Sequence, residues 1–182
     1  MSVFLSAEEG SALLRMARRA IHSRVSGSDA PCEPPSSPAL NQHCGCFVTI
    51  TRDGKLRGCI GNFCSNRPLY LEVAEMAKAA ATCDPRFQPM TPIELEDFSL
   101  EISVLSPLQR IGDVNLIEVG KHGIYLEKGV QRGVLLPQVA TEHNWDRETF
   151  LQQTCRKAGL PANAWQTTDI DIYIFSAIII KE

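Results

Sequence analysis

The stretch Phe47-Val48-Thr49-Ile50-Thr51-Arg52-Asp53-Gly54-Lys55-Leu56-Arg57-Gly58-Cys59-Ile60-Gly61 decides the fold. Residues 47–51 are rich in β-branched side chains and read as a strand. Asp53-Gly54 is a signal for a tight hairpin turn. Residues 55–60 are therefore expected to run back beside the first strand. Gly61 and Asn62 are expected to end the pairing.

Downstream, residues 68–83 are Ala-rich and helical, with Pro68 suited to the first turn. Leu71, Ala74, Met76, Ala77 and Ala81 supply a packed face, and Asp84-Pro85-Arg86-Phe87 stops the helix. Residues 98–105 alternate, with Ser99, Glu101 and Ser103 set against Leu100, Ile102 and Val104, as a half-buried strand requires. Two more strands are read at 124–127 and 134–136. A helix follows over 146–158, with Gly159 free to take a left-handed cap. A long strand over 170–180 ends the chain.

Upstream, Ser6-Ala7-Glu8-Glu9 is a capping box. Leu13, Leu14, Ala17, Ala20 and Ile21 behind it mark one face of an amphipathic helix. Residues 26–41 hold Pro31, Pro34, Pro35 and Pro38 among Ser, Gly and Asp, which reads as a surface loop too short to separate domains. Hairpins outnumber βαβ units. The expected fold is therefore α+β, a mainly antiparallel sheet covered by helices, in a single domain over residues 1–182.

The formal net charge is −3. Duplex phosphate binding needs clustered Lys and Arg, so no nucleic-acid partner is expected. No apolar run approaches the roughly 18 residues that span a bilayer. The first residues lack a basic start and an apolar core, so no signal peptide is read, no membrane partner is expected, and the expected location is cytoplasmic. The 7 cysteines are odd in number and read as thiols.

The densest chemical constellation is Leu56-Arg57-Gly58-Cys59-Ile60-Gly61. Gly58 and Gly61 allow a bend or a close approach. Arg57, two residues before Cys59, is placed on the same strand face, where a guanidinium favours thiolate. Cys59 as a small buried hydrophobe is the plain alternative. His43-Cys44-Gly45-Cys46 raises a metal reading, but the spacing is not that of a zinc knuckle, so no metal ligand is assigned and Cys44 and Cys46 stay open. Trp145 and Trp165 read as packing aromatics.

The chain resembles the AMMECR1 family. The resemblance is carried by Phe47-Val48-Thr49, by the six-residue cysteine motif, and by Ala80-Ala81 with Asp84-Pro85-Arg86-Phe87. Glu101-Ile102-Ser103-Val104-Leu105, Lys121-His122-Gly123-Ile124, Leu135-Leu136-Pro137-Gln138-Val139-Ala140, Trp145-Asp146 and Lys157-Ala158-Gly159-Leu160 complete it, in this order and over nearly the whole chain. It implies an antiparallel α+β domain. It also implies a bacterial or archaeal setting beside a Memo-type protein and a radical SAM enzyme, without naming a reaction or cofactor.

Carried over by motif, the candidate site residues are Cys59, Arg57 and His122 as the catalytic group, with Asp84, Arg86, Gln138, Glu142, Gly58 and Gly61 as binding residues. Arg57, Arg86, Lys121 and His122 form an anion-binding wall if they converge. Asp84 either faces a ligand or pairs with Arg86 to pin a turn. His122 is either the general base for Cys59 or an ordinary loop histidine. The functional expectation is a small enzyme acting on a small anionic molecule or peptide at Cys59. The alternatives are a non-catalytic ligand-binding or adaptor module for the Memo-type partner, and a cysteine motif that only packs the sheet.

Overall fold

The computed structural model describes residues 5–28 and 33–182, so Cys32 and the centre of the Pro-rich segment lie outside the described residues. The chain forms two compact units. One contains the described residues up to Leu105 together with Ile178–Glu182, and the other is Ser106–Ala177.

In the first unit, α1 spans Ala7–Ser26 and begins as its capping box demands. The Glu9 N–H donates to Ser6 Oγ at 3.2 Å, and the Ser6 N–H donates to Glu9 Oε2 at 2.7 Å. Such a cap stabilises a helix by about 1 kcal/mol. Gly27, at φ 70°, closes the other end. Leu13, Ala17 and Ile21 are wholly buried.

β1 is Cys46–Arg52 and β2 is Lys55–Asn62. Both turn residues have positive φ, 51° at Asp53 and 70° at Gly54, a type I′ geometry whose twist matches the flanking strands. Pairing continues through Gly61↔Phe47 and Asn62↔Cys46, two residues past the expected end. At Gly61 a Cβ would lie 2.4 Å from the Cys46 carbonyl oxygen and from the Phe47 ring, so this glycine lets the strands close. A bulge at Ile50/Thr51 leaves Arg57 as the extra residue, and Thr49 then faces Cys59.

β3, Ser99–Leu105, pairs antiparallel with the other side of β1. Val48, Ile50, Leu100, Ile102 and Val104 form one buried face. α2, Leu69–Thr82, packs with α1 over this core through Val73, Ala74, Ala77 and Ala81. At Gly58 of β2, an added Cβ would sit 2.1 Å from the Ala80 carbonyl oxygen of α2. The last residues of β7, whose full span is Asp171–Lys181, lie beside β3.

The second unit holds β4 (Gln109–Ile111), β5 (His122–Lys128), β6 (Gln131–Leu135), α3 (Pro137–Glu142), α4 (Arg147–Lys157) and the first part of β7. β5 pairs with β6 and with β7, and β4 with β7, all antiparallel. Ile124, Leu126, Ile172 and Ile174 form the inner face against Phe150 and Leu151 of α4. α4 starts where Asp146 accepts the Thr149 N–H at 2.8 Å. Gly159 takes φ 74° behind it. β4 was not expected, because three residues are too few to show an alternation. The fold is the expected α+β arrangement built on antiparallel pairs. No helix among the described residues is long and apolar enough to cross a membrane.

Candidate functional site

Of the sequence-derived candidates, Cys59, Asp84 and Arg86 meet on the β2 side of the first unit. Among the described residues no strand hydrogen-bonds the outer side of β2, and the outward backbone groups of Cys59 are taken instead by the turn after α2. The Cys59 N–H donates to Asp84 Oδ2 at 2.8 Å, and the Cys59 carbonyl accepts from Arg86 Nη2 at 3.4 Å. Asp84 and Arg86 thus replace a neighbouring strand at this one residue.

The brace is itself locked. Arg86 donates from Nε to Asp84 Oδ1 at 2.9 Å and from Nη2 to Oδ2 at 2.7 Å, and its backbone N–H adds a third bond at 3.1 Å. The Arg86 hydrogen bonds, reinforced by the Cys59 N–H, hold the Asp84 carboxyl well below the usual carboxylate range against the opposing effect of burial. The same pairing raises the Arg86 pKa. The Asp84 side chain is 2% exposed and that of Arg86 53%. The carboxylate is therefore structural, and the guanidinium keeps a face to solvent. Asp84 both pins its turn and holds the cysteine.

The Cys59 side chain is half-buried. Thr49 Oγ1 donates to its sulfur at 3.3 Å. Arg57 is engaged elsewhere. Its Nε and Nη2 donate to Glu94 at 2.7 and 3.2 Å, and Nη2 also reaches the Gln88 carbonyl at 2.9 Å. Arg57, helped by Thr91, pulls the Glu94 pKa down to about 2. Arg57 and Arg86 flank the Phe87 ring at 5.9 and 5.5 Å. The guanidinium that contacts Cys59 is that of Arg86, while Arg57 secures the bulge to the segment around Glu94.

His122, Gln138 and Glu142 belong to the second unit. His122 opens β5, and its Nδ1 accepts the Glu118 N–H at 3.1 Å. With Nδ1 taken by that N–H, Nε2 is the ring nitrogen left for another partner. The Gln138 side-chain oxygen is buried without a hydrogen-bond partner among the described residues, and Glu142 is exposed. Lys121 pairs with Glu118 at 2.9 Å.

Cys44 and Cys46 are buried in the first unit. Burial, with the Glu72 carboxylate adding to it, pushes the Cys44 thiol up to about 11 and the Cys46 thiol higher still. Both stay protonated near neutrality. Glu72 is 2% exposed and accepts from Asn62 and Ser65, each at 2.7 Å, tying down the chain that leaves β2. Sequence reasoning passed over Glu72, Thr49 and Glu94. Thr49 was hidden by the bulge. Glu94 carried a signal in the Thr91-to-Glu94 spacing of a capping box, which the structure forms.

A hairpin whose outer strand presents one half-buried thiol, braced through its own peptide groups, defines a small α+β domain built around a cysteine motif. Residues 14–180 match the family model AMMECR1, and the chain belongs to the AMMECR1 family. It is similar to a protein of Methanothermobacter thermautotrophicus, 44% identical over 98% of this chain and 96% of that one. A Methanopyrus kandleri protein is 43% identical over 98% of this chain and 90% of its own length. An uncharacterized protein of Pyrococcus horikoshii, known from its crystal structure, superposes with a TM-score of 0.88 at 38% identity, over 98% of this chain and 93% of that one.

Proposed function

We propose that this AMMECR1-family protein recognises a small anionic molecule or peptide at Cys59, with Arg86 as the anion-binding group. The observation that carries this reading is the locked Asp84–Arg86 brace, which sets a half-exposed guanidinium beside a half-buried thiol. Arg suits carboxylate and phosphate because its donors form a planar fork. In the enzyme form of the proposal, Cys59 attacks or protonates the bound molecule. In the module form, ligand or partner is held without chemistry. Beside the sulfur, the Thr49 hydroxyl is a donor and no base. The resemblance to families encoded beside Memo-type and radical SAM proteins makes those two the proposed partners.

The test is alkylation of Cys59, read on its own peptide so that exposed Cys64 and Cys83 do not interfere. The thiolate displaces iodide from either iodoacetate or neutral iodoacetamide, forming one S–C bond as one C–I bond breaks. The reading expects the iodoacetate-to-iodoacetamide rate ratio to exceed that of a free thiol. Arg86→Gln should lower it by about 3-fold, the effect of one charge at roughly 6 Å in water. A ratio equal to that of glutathione in both proteins rejects an anion site. Failure of the protein to co-purify with either neighbour rejects the partner reading alone.

A further inference from the structure

Cys59 belongs to a row of polar side chains that crosses the sheet of the first unit. Thr49 of β1 pairs with Cys59 of β2 on one side and with Glu101 of β3 on the other. All three are partly buried and lie on the face opposite the wholly packed Val48, Ile50, Leu100 and Ile102. β7 runs beside β3, and there Lys181 Nζ lies 2.7 Å from Glu101 Oε2. Four neighbouring strands thus carry, in order, a thiol, a hydroxyl, a carboxylate and an ammonium.

One proton in this row has two claimants. A threonine hydroxyl has a single hydrogen to give. Thr49 Oγ1 gives it to Cys59 Sγ at 3.3 Å, and among the described residues no hydrogen bond joins Thr49 to Glu101. Yet directly opposite residues of an antiparallel pair hold their Cβ atoms about 4.5–5.5 Å apart, so the Glu101 carboxylate is within reach of the same hydroxyl. An ionised carboxylate is a much stronger acceptor than sulfur. Left to itself, Glu101 wins the proton. Lys181 accounts for the opposite outcome, because its ammonium occupies the carboxylate from the β7 side, away from β1.

We propose that Lys181 and Glu101 are positioning residues for Cys59, their ion pair keeping the Thr49 hydroxyl turned to the sulfur. A hydroxyl that donates to sulfur favours the thiolate, the form that acts as nucleophile. Without Lys181 the carboxylate takes the Thr49 proton, and the sulfur faces only the lone pairs of the oxygen. This assignment rests on the reading of Cys59 as the group that meets the ligand, and it gives that site a control on thiol reactivity from β7.

The experiment measures alkylation of Cys59 by neutral iodoacetamide at one fixed pH, read on the Cys59 peptide of the intact chain. Thr49→Val keeps the β-branched shape, removes the donor and should slow the reaction about 5-fold, the effect of one hydrogen bond. Thr49→Ser keeps the hydroxyl and should restore most of the parent rate. The Lys181 side chain is 66% exposed, so Lys181→Met leaves the packing intact. It should also slow the reaction about 5-fold. Charge alone, acting across roughly 10 Å of water, accounts for about 2-fold. In a Thr49→Val background Lys181→Met should therefore cost no more than about that 2-fold. Lys181→Met combined with Glu101→Gln should recover the rate, because a neutral amide competes less well for the hydroxyl proton. The proposal is overturned if Thr49→Val or Lys181→Met reacts like the parent, or if Lys181→Met slows the Thr49→Val protein as much as it slows the parent. An iodoacetate-to-iodoacetamide ratio that still depends on Arg86 while Lys181 has no effect sinks the positioning role alone. A ratio equal to that of glutathione removes the Cys59 reading with it.

Discussion

Replacing Asp84 with Asn tests the brace with the least change of shape. Asp84 now receives four donors, one from Cys59 and three from Arg86. An Asn side chain has one carbonyl oxygen and one amide nitrogen. Whichever way it turns, its NH2 faces either the Cys59 N–H or the guanidinium. The two losses differ in size. Arg86 is half exposed and rehydrates, so its share follows the scale of surface pairs, below about 1 kcal/mol. The Cys59 N–H sits against a carboxylate that is 2% exposed, and leaving it without an acceptor costs about 1–3 kcal/mol. With the NH2 in the Oδ2 place both losses occur, about 2 kcal/mol or roughly 4–8 °C of Tm in a chain of this length, and in the Oδ1 place only the Arg86 share is lost, about 1 kcal/mol or roughly 2–4 °C. The assay is thermal unfolding together with hydrogen exchange of the Cys59 amide. The sign of the pH dependence is fixed as well. The folded pKa of Asp84 lies below its unfolded value, so its contribution is fully present above about pH 5 and fades as pH falls through the unfolded value near 3.9 toward the folded one. The gap between parent and Asp84→Asn should narrow over that interval. Arg86→Gln should cost less than Asp84→Asn. An Asp84→Asn protein that melts within a degree of the parent, with unchanged exchange at Cys59, refutes the account.

Two further predictions follow from the same unit. Gly58→Ala places a methyl 2.1 Å from the backbone oxygen of Ala80, which cannot swing aside as a side chain does. It should destabilise by about 3 kcal/mol, seen as a large drop in Tm or loss of soluble expression, whereas Gly54→Asn in the exposed turn should be mild. Glu94→Gln removes the carboxylate that holds Arg57. It should lower Tm at pH 7 by a few degrees, and the difference should fade as the medium is acidified from about pH 5 toward pH 2, since the folded Glu94 pKa lies near 2. A pH-independent difference would show that Glu94 acts by packing alone.

Much of the fold was legible because it is written in local chemistry. The Ser6–Glu9 capping box, the Asp53-Gly54 turn, the Gly159 cap and the alternation of residues 99–104 each act within a few residues. Each formed as read. β4 and the length of β2 were not legible. β4 takes its strand character from β7, far along the chain, and β2 runs on because Gly61 and Asn62 still meet Phe47 and Cys46 of β1.

The candidate site divides in the same way. The family, the cysteine motif and its companions Asp84 and Arg86 are readable from short stretches of residues alone. Tertiary structure decided what those residues do. Counting back from a two-residue turn places Cys59 opposite Val48, a wholly buried residue. The bulge at Ile50/Thr51 shifts the register by one and brings Cys59 onto Thr49. A strand's faces alternate with period two, so a single extra residue reverses which way a side chain points, and nothing in the local sequence announces it. The same holds for charge. Arg57 stands nearer to Cys59 in sequence than Arg86 does, yet Glu94 claims it, and the contact to Cys59 comes from a turn 27 residues away. Ion pairs form in space after the chain has packed, and spacing along the chain does not fix them.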